Sequence, residues 1–211
     1  MIKYHKIDSV FLRDPDTKHR TFLLGEWTRD EFHYLADLEW VWTEKVDGTN
    51  IRIEVGTDGF RVGGRTDNAQ IPSFLLPVLN EVGETAVKEA LSGLVLFGEG
   101  YGPKIQSGGE LYRTSPGFIL FDVFTIDGLP LSRDNTEDIA QQIGADVVPI
   151  VGYGPLHAAI EMVRAGFDSL VSVSRQVAEG LVVRPAVELA DRECRRVITK
   201  IKHRDFFECN Y

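Results

Sequence analysis

Apolar residues along the chain alternate between helical and strand spacing. Phe32, Leu35 and Ala36 recur at helical spacing behind Thr28 and Glu31, a capping-box pair, which predicts a short helix near 29–37. Trp40 to Thr43 reads as a strand. Ile51-Arg52-Ile53-Glu54-Val55 alternates as a half-buried strand does, and Asp58-Gly59 predicts a hairpin into Phe60-Arg61-Val62. Phe74, Leu75, Val78, Leu79, Val82, Ala86 and Val87 predict a helix within 73–91, against the low helix propensity of Gly83.

Leu94 to Phe97 and Phe118 to Ile126 are apolar, aromatic-rich runs that predict buried strands, the second closed by Asp127-Gly128. Helices follow near 135–143 and 155–165, the latter opened by Pro155 and closed by Gly166, and strands near 180–184 and 196–202 end the series. Hairpins mixed with helices, without a regular strand-helix-strand order, predict an α+β fold of antiparallel sheets with flanking helices. No repeat, low-complexity tract or Gly/Ser/Pro-rich linker interrupts the 211 residues, so a single domain over 1–211 is expected.

Composition narrows the picture. With 43% hydrophobic residues the chain can build a sizeable core. No apolar run approaches the roughly 20 residues needed to span a bilayer, and the start Met1-Ile2-Lys3-Tyr4-His5-Lys6 lacks a signal-peptide core, so a cytoplasmic protein with no membrane partner is expected. Cys194 and Cys209 do not make a disulfide framework or a zinc site and read as free thiols. His5, His19, His33, His157 and His203 show no metal-ligand spacing. A net charge of −9 opposes a protein that grips nucleic acid through global positive charge, so such binding must be local. The segment Arg192 to Arg204 does reverse the sign, and either a nucleic-acid contact or an ordinary solvated face explains it.

Chemistry is carried by a few polar groups beside strand-like runs. Lys45-Val46-Asp47-Gly48 sits where a turn would lift a lysine to a sheet edge, although an exposed lysine beside an Asp-Gly turn would read the same. Phe97-Gly98-Glu99-Gly100 ends an apolar strand with a carboxylate and Glu179 precedes another in Gly180-Leu181-Val182-Val183-Arg184; carboxylates buried there need a cation or hydrogen-bond partner. Lys200-Ile201-Lys202 puts two lysines on one strand face. Turned inward, that pair calls for an anion.

In this order the segments resemble the covalent nucleotidyltransferase superfamily of polynucleotide ligases and RNA capping enzymes, and most closely its RNA ligase 2-like branch. Glu44-Lys45-Val46-Asp47-Gly48-Thr49-Asn50 is similar to that branch's motif I, with Asn50 where DNA ligases and capping enzymes usually carry arginine. The strand ending in Glu99 resembles motif III, Phe118 to Val123 motif IIIa, Glu179 to Arg184 motif IV, and Lys200 to Lys202 motif V. The resemblance spans about residues 40–204.

The resemblance implies an ATP-grasp-like nucleotidyltransferase domain acting as an ATP-dependent RNA ligase. Lys45 would take AMP from ATP, pass it to an RNA 5′-phosphate, and release it when a 3′-hydroxyl attacks, as in RNA repair. Lysine has an unperturbed pKa near 10.4 and attacks only as the neutral amine. Cationic surroundings such as Lys200, Lys202 and a divalent ion would favour that form and hold the triphosphate. Glu179 joins these as a catalytic residue. Asp47, Glu99 and Glu179 would face a hydrated Mg²⁺ or Mn²⁺. Phe121, or alternatively Phe118, would stack on adenine; the Glu44 backbone would read its edge; Asn50 would orient a phosphate; Arg65 would contact the ribose or the nucleic-acid end. Glu99, Lys200 and Lys202 complete the nucleotide-binding set.

Nine residues follow Lys202, so neither an OB-fold nor another C-terminal accessory domain is expected. RNA ends, in a nicked duplex or a single strand, are the expected partners, with another protein as a possible source of the accessory domain. DNA ligation or GTP-dependent capping is the alternative enzyme reading, and a non-catalytic nucleotide- or nucleic-acid-binding relative is the alternative from another class.

Overall fold

The computed structural model describes residues 1–207. In chain order the strands are β1 (Asp8–Ser9), β2 (Phe11–Arg13), β3 (Phe22–Trp27), β4 (Trp40–Glu44), β5 (Thr49–Val55), β6 (Phe60–Gly64), β7 (Leu94–Tyr101), β8 (Gly117–Thr125), β9 (Asp146–Val147), β10 (Ile150–Gly154), β11 (Gly180–Pro185) and β12 (Thr199–Lys202). The helices are α1 (Asp30–Tyr34), α2 (Leu76–Lys88), α3 (Gly109–Tyr112), α4 (Arg133–Ile143) and α5 (Leu156–Ala165). The class is the α+β expected from the patterning, with mostly antiparallel pairing; β1 with β12 and β8 with β9 are parallel. Contacts gather the chain into two compact units built from interleaved segments.

The first unit comprises Met1–His5, Asp47–Val148 and Ser172–Ser174. Its five-stranded sheet runs β6-β5-β7-β8-β9. Helices α2 and α4 bury Leu79, Val82, Ala86, Ile139 and Ile143 against Ile51, Ile53, Leu96, Phe118 and Leu120. Gly83 belongs in α2 because a Cβ there would stand 2.3 Å from the Phe60 ring; its weak helix propensity is offset by the close packing it permits. The opposite face carries Val95, Phe97 and Phe124 with Ile2, Tyr4 and Phe121.

Strand β5 is therefore not half-buried. Arg52 is 0% exposed and Glu54 8%, because the segment Met1–His5 and the residues after β6 cover the polar face. Arg52 donates to Gly64 O at 2.7 Å, Ile2 O at 2.9 Å and Asp67 at 2.9 Å, so hydrogen bonding meets the demand of a buried guanidinium.

The second unit comprises Lys6–Val46, Pro149–Val171 and the chain from Arg175 onward. Its sheet runs β1-β12-β11-β4-β10, with β2 and β3 as a separate pair. Trp40, Trp42, Leu181, Val183 and Ile201 pack with Leu156, Ala159, Ile160 and Val163 of α5. Pro155 is the N-cap residue of α5, and Gly166 caps its end at φ +81°.

Two local expectations change. The capping box before α1 does not form: Arg29 occupies the cap position, Thr28 Oγ1 has no hydrogen-bond partner, and Glu31 accepts instead from Arg29 Nε at 3.3 Å. Arg29 is held by Asp191 at 3.0 Å, a tertiary pair that overrides the local cap. The last strand starts at Thr199 rather than 196, because residues 191–195 fold into a turn in which Asp191 accepts from the backbone N–H of Glu193 and Arg195.

Candidate active site

Lys45 is the first residue beyond β4, and its backbone N–H donates to Gly180 O at 2.9 Å. Pairing of β4 with β11 sets Glu44 opposite Leu181, and pairing of β11 with β12 sets Gly180 opposite Lys202. Three strand ends thereby converge. Lys45 Nζ donates to Glu179 Oε2 at 2.6 Å, and Lys202 Nζ lies 2.6 Å from Glu179 Oε1. Gly180 allows this closeness, since a Cβ there would fall 1.9 Å from Ile201 O. Burial alone would raise the Glu179 carboxyl, but the ammoniums of Lys45 and Lys202 outweigh it and hold the group below the usual carboxylate range. Lys200 is half-buried on the same strand face as Lys202 and pairs in register with Val182.

Glu44 turns its side chain elsewhere in this unit. It is 1% exposed, accepts from the Ser169 hydroxyl and accepts from the Leu170 N–H at 2.7 Å. Desolvation pushes its carboxyl up despite these donors. Its backbone N–H donates to Pro149 O at 3.1 Å. Ser169 was not visible as a partner in the sequence, because 125 residues separate the two and no local pattern marks them.

In the first unit Asp47, Gly48, Asn50 and Glu99 share one corner. A Cβ on Gly48 would stand 2.3 Å from Gly100 O and 2.7 Å from Glu99 Cγ, so the glycine lets the loop lie directly on β7. Asn50 pairs in register with Glu99, and Asn50 Oδ1 is buried without a hydrogen-bond partner. The Asp47 backbone N–H donates to the Tyr112 hydroxyl at 3.3 Å. Arg65 is exposed in the bend after β6, next to Gly64, which pairs with Ile51, at the sheet end that holds Asn50.

The two aromatic candidates are separated by a bulge. Phe97 pairs with Asp122 and Gly98 with Leu120, which leaves Phe121 as an extra residue on β8. Such an insertion re-aims side chains, and both Phe121 and Asp122 reach the face lined by Tyr4. Phe118 points to the helix side, 4% exposed in the α2/α4 core.

The carboxylates named for metal are hard oxygen donors of the type magnesium takes. Among the described residues no three His, Cys, Asp or Glu side chains gather as direct ligands; contact through bridging waters requires no such cluster. In the basic run, Arg195 pairs with Asp191 and Arg196 with Glu188, each at 2.7 Å, which neutralises much of its charge locally. His203 Nδ1 lies 2.7 Å from Val163 O, a structural role. Cys194 is an exposed free thiol, and Cys209 lies outside the described residues. Among those residues no helix is long and apolar enough to cross a membrane.

The RNA ligase family profile matches residues 38–202. The chain belongs to the RNA ligase family. No curated protein matches it significantly. Solved RNA ligase structures from Naegleria gruberi share its fold. A glutamate-to-alanine variant with ATP and manganese aligns at TM-score 0.67 and 18% identity over 95% of this chain and 56% of that one. The ligase with pyrophosphate aligns at 0.65 and 18%, over 95% and 56%, and an aspartate-to-alanine variant without ligand at 0.66 and 16%, over 97% and 56%. This RNA ligase family member thus spans little more than half the length of those chains.

Proposed function

We propose that the chain is an ATP-dependent RNA ligase whose first step is transfer of AMP to Lys45. The observation that carries this reading is the convergence of Lys45 and Lys202 on Glu179, at the strand ends where the family resemblance places motifs I, IV and V. In that step a bond forms between Lys45 Nζ and the α-phosphorus, the bond to the β-phosphate oxygen breaks, pyrophosphate leaves with the electron pair, and the amine proton goes to water. Lys45 Nζ is bonded to Glu179 Oε2, so attack requires it to turn from that oxygen to the α-phosphorus, while Lys202 stays beside the same carboxylate.

Lys200 and Lys202 are assigned to the phosphates, where positioning and charge stabilisation supply most of the catalysis. Asp47, Glu99 and Glu179 would hold Mg²⁺ or Mn²⁺ through its water shell, and the ion would neutralise phosphate charge. Phe121 stacks on the base, Asn50 orients a phosphate, and Arg65 and Glu44 contribute to nucleotide recognition. The Naegleria structures with ATP and manganese and with pyrophosphate support the choice of substrate and ion. Sealing of RNA 5′-phosphate and 3′-hydroxyl ends, in cytoplasmic RNA repair and with or without a partner protein, completes the reading.

The test is incubation with Mg²⁺ and ATP or GTP labelled at the α-phosphate, followed by denaturation. Label from ATP that survives in the wild type and is absent from Lys45→Ala is the expected result. No covalent label, or label indifferent to Lys45→Ala, overturns the proposal; label from GTP alone moves it to capping chemistry.

A further inference from the structure

We infer that Tyr4 is a positioning residue for Phe121, fixing the orientation of the ring that receives the nucleotide base. This rests on the assignment of Phe121 to base stacking in the proposed function. Phe121 is the extra residue of the β8 bulge and has no partner opposite it on β7, so strand pairing does not set its ring; packing must. The Tyr4 ring meets it edge to face, with centroids 5.1 Å apart and planes at 75°. An edge-to-face contact uses at most one face of Phe121 and leaves the other for a planar base.

Tyr4 is itself held from several directions. Its hydroxyl donates to Asp122, the residue next to Phe121 in sequence, and its ring contacts Phe97 at 5.0 Å and Phe124 at 5.8 Å. His5 stacks on it at 4.4 Å. The same bulge that turns Phe121 toward the Met1–His5 segment turns Asp122 there too, so one backbone irregularity supplies both the ring to be oriented and the acceptor that anchors its neighbour. Arg52 holds the segment by donating to Ile2 O at 2.9 Å. Tyr4 makes none of the contacts assigned to the triphosphate, so its effect should fall on nucleotide binding rather than on the rate of phosphoryl attack.

The experiment is single-turnover labelling of the protein across a range of ATP concentrations, comparing wild type with Tyr4→Phe, Tyr4→Ala and Asp122→Asn. Tyr4→Phe keeps the ring and removes the anchoring bond, and Asp122→Asn keeps the ring and weakens that bond by replacing a charged acceptor with a neutral one. In them the half-saturating ATP concentration is expected to rise about three- to tenfold, the span of one net hydrogen bond, with the plateau rate within about twofold of wild type. Tyr4→Ala should raise it further. A structural defect alone would lower the labelled fraction without moving half-saturation. Unchanged half-saturation in Tyr4→Phe and Asp122→Asn, or a loss confined to the plateau rate, overturns the inference while leaving the proposed function intact. A wild-type protein that takes no label overturns both.

Discussion

Lys45 donates to Glu179 from the end of β4, 2.6 Å from Nζ to Oε2, while Lys202 lies as close to the other oxygen. One carboxylate thus bridges two ammoniums at a sheet edge where each is mostly shielded from water. Because the folded Glu179 carboxyl sits below its ordinary value, it adds stability that is present above the ordinary carboxylate range and is lost as pH falls through the depressed folded value. Urea unfolding of wild type and Glu179→Gln at neutral and acid pH checks this. The wild-type advantage should be full at pH 7 and shrink in acid; an advantage independent of pH would show that charge is not its source.

Glu44 works in the opposite sense. Its buried carboxyl is raised, so ionisation costs stability as pH climbs through the raised value, and the Ser169 hydroxyl and Leu170 N–H reduce that cost. Ser169→Ala removes one of these donors to a buried anion. The expected loss is about 1–3 kcal/mol, largest at alkaline pH and smaller where Glu44 is protonated. Denaturant melts at pH 5 and pH 8 compare the two, and an equal loss at both would refute the role given to the ionised carboxylate.

These two carboxylates mark how far the sequence could be read. Lys45, Glu179 and Lys202 were legible as polar residues flanking apolar strands, and a carboxylate buried there calls for a cation or hydrogen-bond partner; which lysines fill that place was not legible. The Ser169 partner of Glu44 was not legible, since nothing near Ser169 distinguishes it from any loop serine. The same limit explains Arg52. Its alternating strand reads as half-buried because the N-terminal segment that covers it is remote in sequence. It also explains Phe121, whose exposure depends on a bulge that adds one residue to β8 without leaving a mark in the apolar pattern. Hairpin turns, helix spacing and the α+β class are encoded locally and came through; the cap of α1, displaced by Arg29 reaching Asp191, shows a tertiary pair overriding a local signal.

Phe118 and Phe121 should separate fold from function. Phe118 is packed in the helix-side core against Gly98, where a Cβ would stand 2.3 Å from its ring. Phe118→Ala is expected to cost about 3–5 kcal/mol of stability. Phe121 is only half-buried, so Phe121→Ala should lower the melting temperature less than Phe118→Ala does while weakening ATP binding. Thermal melts paired with titration of ATP check both; a Phe121→Ala protein that binds ATP as wild type does would remove the ring from the nucleotide site.

Gly48 offers a test that depends on space alone. Any side chain at this position must enter the 2.3 Å gap to Gly100 O and the 2.7 Å gap to Glu99 Cγ. The nearest obstacle is backbone, which has no rotamer to give. Gly48→Ala must therefore lift the loop from β7 or shift β7 itself, at a cost of about 1–3 kcal/mol. Gly59, in the β5–β6 turn with nothing within 4 Å of its would-be Cβ, is the matched control, and Gly59→Ala should be close to neutral. Because Lys45 is only three residues from Gly48, the lifted loop should also reduce covalent labelling at temperatures where the variant remains folded. Melting curves and labelling of both alanine variants decide the point, and a Gly48→Ala protein matching Gly59→Ala in both would show that the loop does not need its close seat on β7.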